Sequence, residues 1–247
     1  MRTALIFIDG LGLGENDPAI NPLAFGEDCF ADLFGYAMTQ CHVGEGLFLS
    51  GRAIVPIDAV MGVPGLPQSA TGQTSLFTGI NGQKLIERHL NGFPSPRLRQ
   101  VLQAHGIFRR LAQTEKRAVF ANAFTEEYFK AVGEHKRRYS ASTVAAMAGD
   151  QPLRTIADLC DGQAVYQDIT REILIERGYA GRVERTDPVE AGRHLAGIIQ
   201  ENDFTLFEYF QTDRCGHHQD PEWAKRILRD LSEFLTSVFN EDDQEQK

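Results

Sequence analysis

No CxxC pair occurs in this chain, and its four cysteines, Cys29, Cys41, Cys160 and Cys215, are scattered over the whole length. That spacing argues against a zinc-finger cluster and against a disulfide framework. No apolar run reaches the length of a transmembrane helix, and Met1-Arg2-Thr3 leads straight into the short run Ala4-Leu5-Ile6-Phe7-Ile8. No membrane span and no signal peptide are therefore expected, and the cytoplasm is the expected location. Positive charge is not in surplus either: the net charge is -9 and the pI about 5.3. That balance argues against an unspecific grip on nucleic acid or on an anionic membrane surface. It leaves an anionic small molecule open as a substrate, because a bound metal reverses the local field. There is no internal repeat and no low-complexity linker.

With 247 residues, 42% of them hydrophobic and 24% charged, the chain has the composition of a soluble globular protein able to bury a full core. Ala4 to Ile8 is a continuous apolar run of strand length, as expected of a strand covered on both faces in a parallel sheet. Ala53 to Val60, Ala118 to Ala121 and Phe204 to Phe210 read as further strands, and Ala164 to Tyr166 as a short one. Gly72 to Thr78 opens a helix after a turn rich in Pro, Ser and Thr. Pro96 to Ala112 carries Leu98, Val101, Leu102, Phe108 and Leu111 at roughly helical spacing. Asp187-Pro188 and Asp220-Pro221 are N-cap and N1 signals for helices reaching about Gln200 and Phe239. Asn240 to Lys247 reads as a polar, fraying tail. Strands alternating with helices predict an α/β fold with a largely parallel sheet. Residues 1–125 and 186–247 form its expected core, and 126–185 an expected small insert.

Asp213 and His217 carry the strongest chemical signal. They lie in Asp213-Arg214-Cys215-Gly216-His217, directly after the strand that ends at Phe210. A carboxylate and an imidazole four residues apart at a strand end suit one divalent metal, Zn, Mn or Fe rather than Ca. Gly216 is expected to let the backbone turn tightly between them. The same pentad also reads as a strand-end turn with two solvated side chains. Asp9 follows the first strand, where parallel sheets gather ligands; it reads as a metal ligand, or as a turn residue or helix cap. Gly10, Gly12 and Gly14 do not match a dinucleotide-binding loop. Pro67-Gln68-Ser69-Ala70-Thr71-Gly72-Gln73-Thr74 places hydroxyls just before a helix, whose free amides favour phosphate-like anions. A serine there beside a metal can serve as a nucleophile, and helix capping is the other role for these hydroxyls. His89 and Asn91, in the segment after that helix, are candidates to reach a substrate oxygen or to hold a loop. Glu208 interrupts an apolar strand and has no assigned role.

Three segments, in this order, resemble the alkaline phosphatase superfamily, in the metalloenzyme branch that includes cofactor-independent phosphoglycerate mutase and phosphopentomutase. They are the first strand ending in Asp9, Ser69-Ala70-Thr71-Gly72-Gln73 leading into Thr78-Gly79, and Asp213-x-x-Gly-His217. The resemblance implies a metal-dependent phosphatase, phosphomutase or related hydrolase with two divalent ions, Zn or Mn or else Mg. Asp9 and Ser69 would bind one ion, and Asp213 and His217 the other. Ser69 would be the nucleophile, with Thr71 the runner-up. Gly72 and Gln73, by way of the helix amides, and His89 and Asn91 would hold a small phosphorylated or related anionic substrate. Phosphodiesterase and phosphonate-cleaving relatives share this chemistry; a formylglycine-type sulfatase is disfavoured because no cysteine lies in the Ser69 turn.

The family site also uses an Asp-His pair and a final histidine. This chain has no Asp-His pair, and His218 is its only histidine after His217. The expectation is an α/β core lacking its last strands and their ligands, with self-association through the exposed sheet edge. The alternative is a degenerate homologue that keeps only residual metal or anion binding.

Overall fold

The computed structural model describes residues 2–24 and 30–244. They fall into two compact units, the first drawn from 1–7, 58–166 and 197–208, the second from 8–57, 167–196 and 209–247. Cys29 lies outside the described residues, as does the end of the chain from 245.

The first unit holds an α/β core around a three-stranded parallel sheet flanked by helices. Its strands are β1 (Thr3–Ile8), β4 (Ala118–Phe120) and β5 (Phe204–Tyr209), in the order β1-β5-β4. Ala118, Val119 and Phe120 stand opposite Phe204, Thr205 and Leu206. All six residues of β5 are buried, the polar Thr205 and Glu208 included, as befits a mostly apolar central strand covered on both faces. β1 carries a similar run but lies at the sheet edge and is only half-buried. Ala164 to Tyr166 contributes an isolated bridge, Val165 to Asn122, rather than a strand.

The core of this unit gathers Phe77, Leu102, Phe108, Phe120, Phe204 and Leu206 with the alanines of the Ala141–Ala148 helix. Phe108 packs edge-on to Phe204 with ring centroids 5.4 Å apart. Each fully buried phenylalanine is worth about 2–3 kcal/mol of apolar transfer. The helix expected over 96–112 is two helices, Pro96–His105 and Ile107–Leu111. Gly106 breaks it with φ -60° and ψ 147°. Its ideal Cβ would come 2.4 Å from the Leu102 carbonyl oxygen, so a side chain there collides with the helix end. Residues 126–166 group with the first unit and 167–185 with the second, and residues 141–146 are buried in the first unit's core.

The second unit contains a hairpin of β2 (Leu47–Leu49) and β3 (Arg52–Ile54) and the helices Gln211–His218 and Pro221–Gln244. β3 corrects the strand expected over 53–60: it stops at Ile54 and pairs antiparallel with β2, outside the parallel sheet. Both Asp-Pro signals hold. The Asp187 carboxylate accepts from the Glu190 amide at 2.7 Å, and the Asp220 carboxylate from the Glu222 and Trp223 amides at 3.1 and 3.0 Å. The helix from Pro188 approaches the helix from Pro221 closely. A Cβ on Gly192 would lie 2.6 Å from the Phe234 carbonyl oxygen, and Ser237 Oγ donates to the Val189 carbonyl at 2.8 Å. The last helix runs on to Gln244, past the expected end at Phe239. Among the described residues, no helix is long and apolar enough to cross a membrane.

Candidate functional site

The second unit brings Asp9, Asp213 and His217 into one neighbourhood. The Asp9 amide donates to the Tyr209 carbonyl at 2.9 Å, continuing the parallel pairing past the strand ends. The Asp9 carbonyl accepts from Thr212 Oγ1 at 2.5 Å. Gly10 follows with φ 72°. A Cβ there would lie 2.6 Å from Asp213 Cα and 2.9 Å from its amide nitrogen. Only glycine allows both that conformation and that approach, so Gly10 sets the backbone of Asp213 against the corner that carries Asp9.

Asp213 and His217 sit in the Gln211–His218 helix, which corrects the turn expected between them. Gly216 is helical and makes no tight turn; the left-handed residue is Gln219, at the helix C-cap. The four-residue spacing is instead one helical pitch, which stacks the two side chains on one face. His217 Nε2 stands 3.6 Å from Asp213 Oδ2. Two ligand atoms about 2.1 Å from one tetrahedral zinc lie about 3.4 Å apart, so the pair fits two corners of a metal site. The side chains are 66% and 38% exposed for His217 and Asp213, so as a plain ion pair they are worth at most about 1 kcal/mol. Among the described residues, no three His, Cys, Asp or Glu side chains form a metal-holding group.

The first unit holds the other predicted residues. Ser69 is the first residue of the Ser69–Thr78 helix, after Gln68, whose side chain makes no capping bond. Ser69 is half-buried; its Oγ donates to Asn91 Oδ1 at 3.3 Å and accepts from the Gly92 amide at 3.3 Å. The structure thus joins Ser69 to Asn91, and the Ser69 hydroxyl is not a cap. Thr71 is fully buried. Its hydroxyl donates to the Gln68 carbonyl at 3.1 Å and accepts from the Leu90 amide at 3.3 Å. That is a bracing role, and it leaves Ser69 as the accessible hydroxyl of the two. Thr74, Ser75 and Thr78 return their hydroxyls to carbonyls one turn back. A Cβ on Gly72 would meet nothing within 4 Å, so packing does not explain that glycine.

His89 Nε2 is 2.8 Å from the Val63 carbonyl oxygen, so that nitrogen carries the proton. Nδ1 is then an acceptor, and it is buried without a partner among the described residues. The Gln73 side chain is 3% exposed, and its Nε2 donates to Glu208 Oε1 at 2.5 Å inside the core, so any contact of Gln73 with an anion is left to its backbone amide.

Glu208 is the residue that sequence reasoning left without a role. Its other carboxyl oxygen accepts from Ser142 Oγ at 2.6 Å, and its backbone amide and carbonyl are both held by the Asn122 side chain at 2.8 Å. Burial pushes the Glu208 carboxyl above its ordinary range, while the Ser142 and Gln73 hydrogen bonds pull it back. The sequence signal was a carboxylate inside an apolar strand; its side-chain partners lie 66 and 135 residues away.

No protein-family model matches the chain, and no curated protein or solved structure is significantly similar to it.

Proposed function

We propose that the chain is a metal-dependent phosphoryl-transfer enzyme or hydrolase of the alkaline phosphatase superfamily, of the phosphatase or phosphomutase type, with the parallel sheet as its core. The observation that carries this reading is the Asp213–His217 pair, whose 3.6 Å gap fits two metal bonds, with Gly10, next to Asp9 in sequence, packed on the Asp213 backbone. Ser69 supplies the second part, as a hydroxyl at the start of a helix with Asn91 beside it.

Asp213 and His217, with Asp9, would hold a divalent ion, Zn or Mn or else Mg, which when bound supplies Lewis acidity and lowers the pKa of a coordinated hydroxyl. The residues' own work is separable. Ser69 Oγ forms a bond to phosphorus as the bond to the leaving oxygen breaks, and the serine proton ends on that oxygen. Asn91 orients the Ser69 hydroxyl. The amides of the first turn of the Ser69 helix favour the transferring anion, and the bare Nδ1 of His89 accepts from a substrate hydroxyl. The substrate is a small phosphorylated compound.

Manganese and zinc titration by calorimetry tests the metal half. The wild-type chain should bind saturably, and Asp213→Asn with His217→Gln should weaken binding at least tenfold. Unchanged binding in that double variant removes the pair from the site. The exposure of His217 also favours a second reading, a protein that binds metal or anion without turnover. Metal binding without release of phosphate from any of a panel of phosphomonoesters, phosphodiesters and phosphonates selects it.

A further inference from the structure

The second unit has a cleft of about 250 Å³ that none of the residues assigned above lines. Its walls are the start of the Gln211–His218 helix, one face of the Pro221–Gln244 helix and the segment from Asp168 to Arg177. Gln211 stands about 160° and 120° around its helix from Asp213 and His217, at roughly 100° per residue. The cleft therefore opens on a different side of that helix from the candidate metal pair.

Gln211 is 4% exposed, and its Oε1 accepts from Arg214 Nη1 at 3.2 Å. That bond fixes which end of the amide is which. The other end, Nε2, is buried with no hydrogen-bond partner among the described residues. A buried N–H left in this state is unfavourable until an acceptor arrives. Arg214 forms no ion pair with a carboxylate among the described residues, so the rest of its planar fork remains available beside Gln211.

Two of the four acids lining the cleft, Asp168 and Glu172, are already committed. The Asp168 carboxylate accepts from the Arg171 and Ile173 amides at 3.0 and 2.7 Å, and Glu172 pairs with Arg185 at 2.6 Å and Arg226 at 3.9 Å. Of the other two, Glu176 is exposed, whereas Asp230 is half-buried, accepts no hydrogen bond among the described residues, and has the positive charges of Arg226 and Arg185 within electrostatic reach. Trp223, Ile173 and Ile227 give the same cleft an apolar wall. An unmet donor with a guanidinium, a carboxylate with no hydrogen bond and an apolar wall match the three parts of one compact ligand.

We propose that this cleft binds an α-amino acid with an apolar side chain, its carboxylate on Gln211 and Arg214, its ammonium on Asp230, and its side chain against Trp223. Trp223 is the one tryptophan in the sequence, so intrinsic fluorescence reports on this cleft directly. L-leucine titrated into the full chain should shift that fluorescence saturably, with a matching calorimetric isotherm. 4-Methylpentanoate, which lacks the ammonium, and 3-methylbutylamine, which lacks the carboxylate, should each bind at least tenfold more weakly. Gln211→Leu and Asp230→Asn should each weaken L-leucine binding by about tenfold or more, the effect of losing one charge-assisted hydrogen bond. If Gln211→Leu loses the wild-type far-UV dichroism, Arg214→Gln, at an exposed position, carries the same prediction. The absence of any saturable signal from L-leucine at millimolar concentration overturns the proposal. So does 4-methylpentanoate binding as tightly as L-leucine, or L-leucine binding that all three variants leave unchanged.

Discussion

The Ser69 turn and the Asp213 helix are held in place by opposite means. Around Ser69 the fixing is polar: Thr71 ties Gln68 to Leu90, and Gln73 ties the same helix to the buried Glu208. Around Asp213 the fixing is steric, a glycine backbone with no room for a methyl group. The first arrangement leaves one accessible hydroxyl on a rigid base. The second leaves two exposed side chains on a backbone packed directly against Gly10. A reactive group needs only its support to be rigid, and the two regions meet that need in different ways.

The largest expected effect comes from breaking the polar support. Glu208→Ala strands the Gln73 amide and the Ser142 hydroxyl without acceptors and opens a cavity, at a cost of about 3–5 kcal/mol by chemical denaturation. Glu208→Gln keeps the shape and removes the charge, which sharpens the same point through pH. The folded carboxyl lies above its ordinary value of 4.5, so its contribution is fully present below that pH and is lost as pH rises through the folded value. Wild type should therefore lose more stability between pH 5 and pH 8 than Glu208→Gln does. Equal losses would mean that Glu208 titrates normally.

Next in size is the steric contact. Gly10→Ala must relieve a 2.6 Å approach to Asp213 Cα at a positive φ, and should cost about 2–3 kcal/mol. It should also reduce metal affinity, because the Asp213 backbone has to move. Wild-type stability in that variant would show that the approach relaxes freely. Smallest is His217→Ala, which should change stability by no more than about 1 kcal/mol in thermal unfolding, since the pair with Asp213 is exposed. A large loss would give that histidine a structural role and weaken its assignment as a ligand.

The regular elements were legible where the chain signals them locally. β1, β4 and β5 follow apolar runs, and both Asp-Pro starts carry the N-cap bonds they imply. The Ala141–Ala148 helix was only weakly signalled, because residues 141–146 are buried, small and without an amphipathic stripe. The break at Gly106 depends on an approach to the Leu102 carbonyl that helical spacing does not encode. At the candidate site, the pairing of Asp213 with His217 was readable, but the strand-end position suggested a turn where the four-residue spacing makes a helical pitch. Ser69 could be picked from its turn. The engagement of Gln73 by Glu208 could not, because it joins residues 135 apart.

The most direct test of the central claim is the fate of Ser69 during turnover. The full chain is incubated with manganese and 4-nitrophenyl phosphate, quenched in acid, digested and read by peptide mass spectrometry. Phosphate on Ser69 in the wild type, absent from Ser69→Ala, is the predicted result. Release of 4-nitrophenol that Ser69→Ala leaves intact, or phosphate on Thr71 instead, contradicts the assignment of Ser69 as the nucleophile.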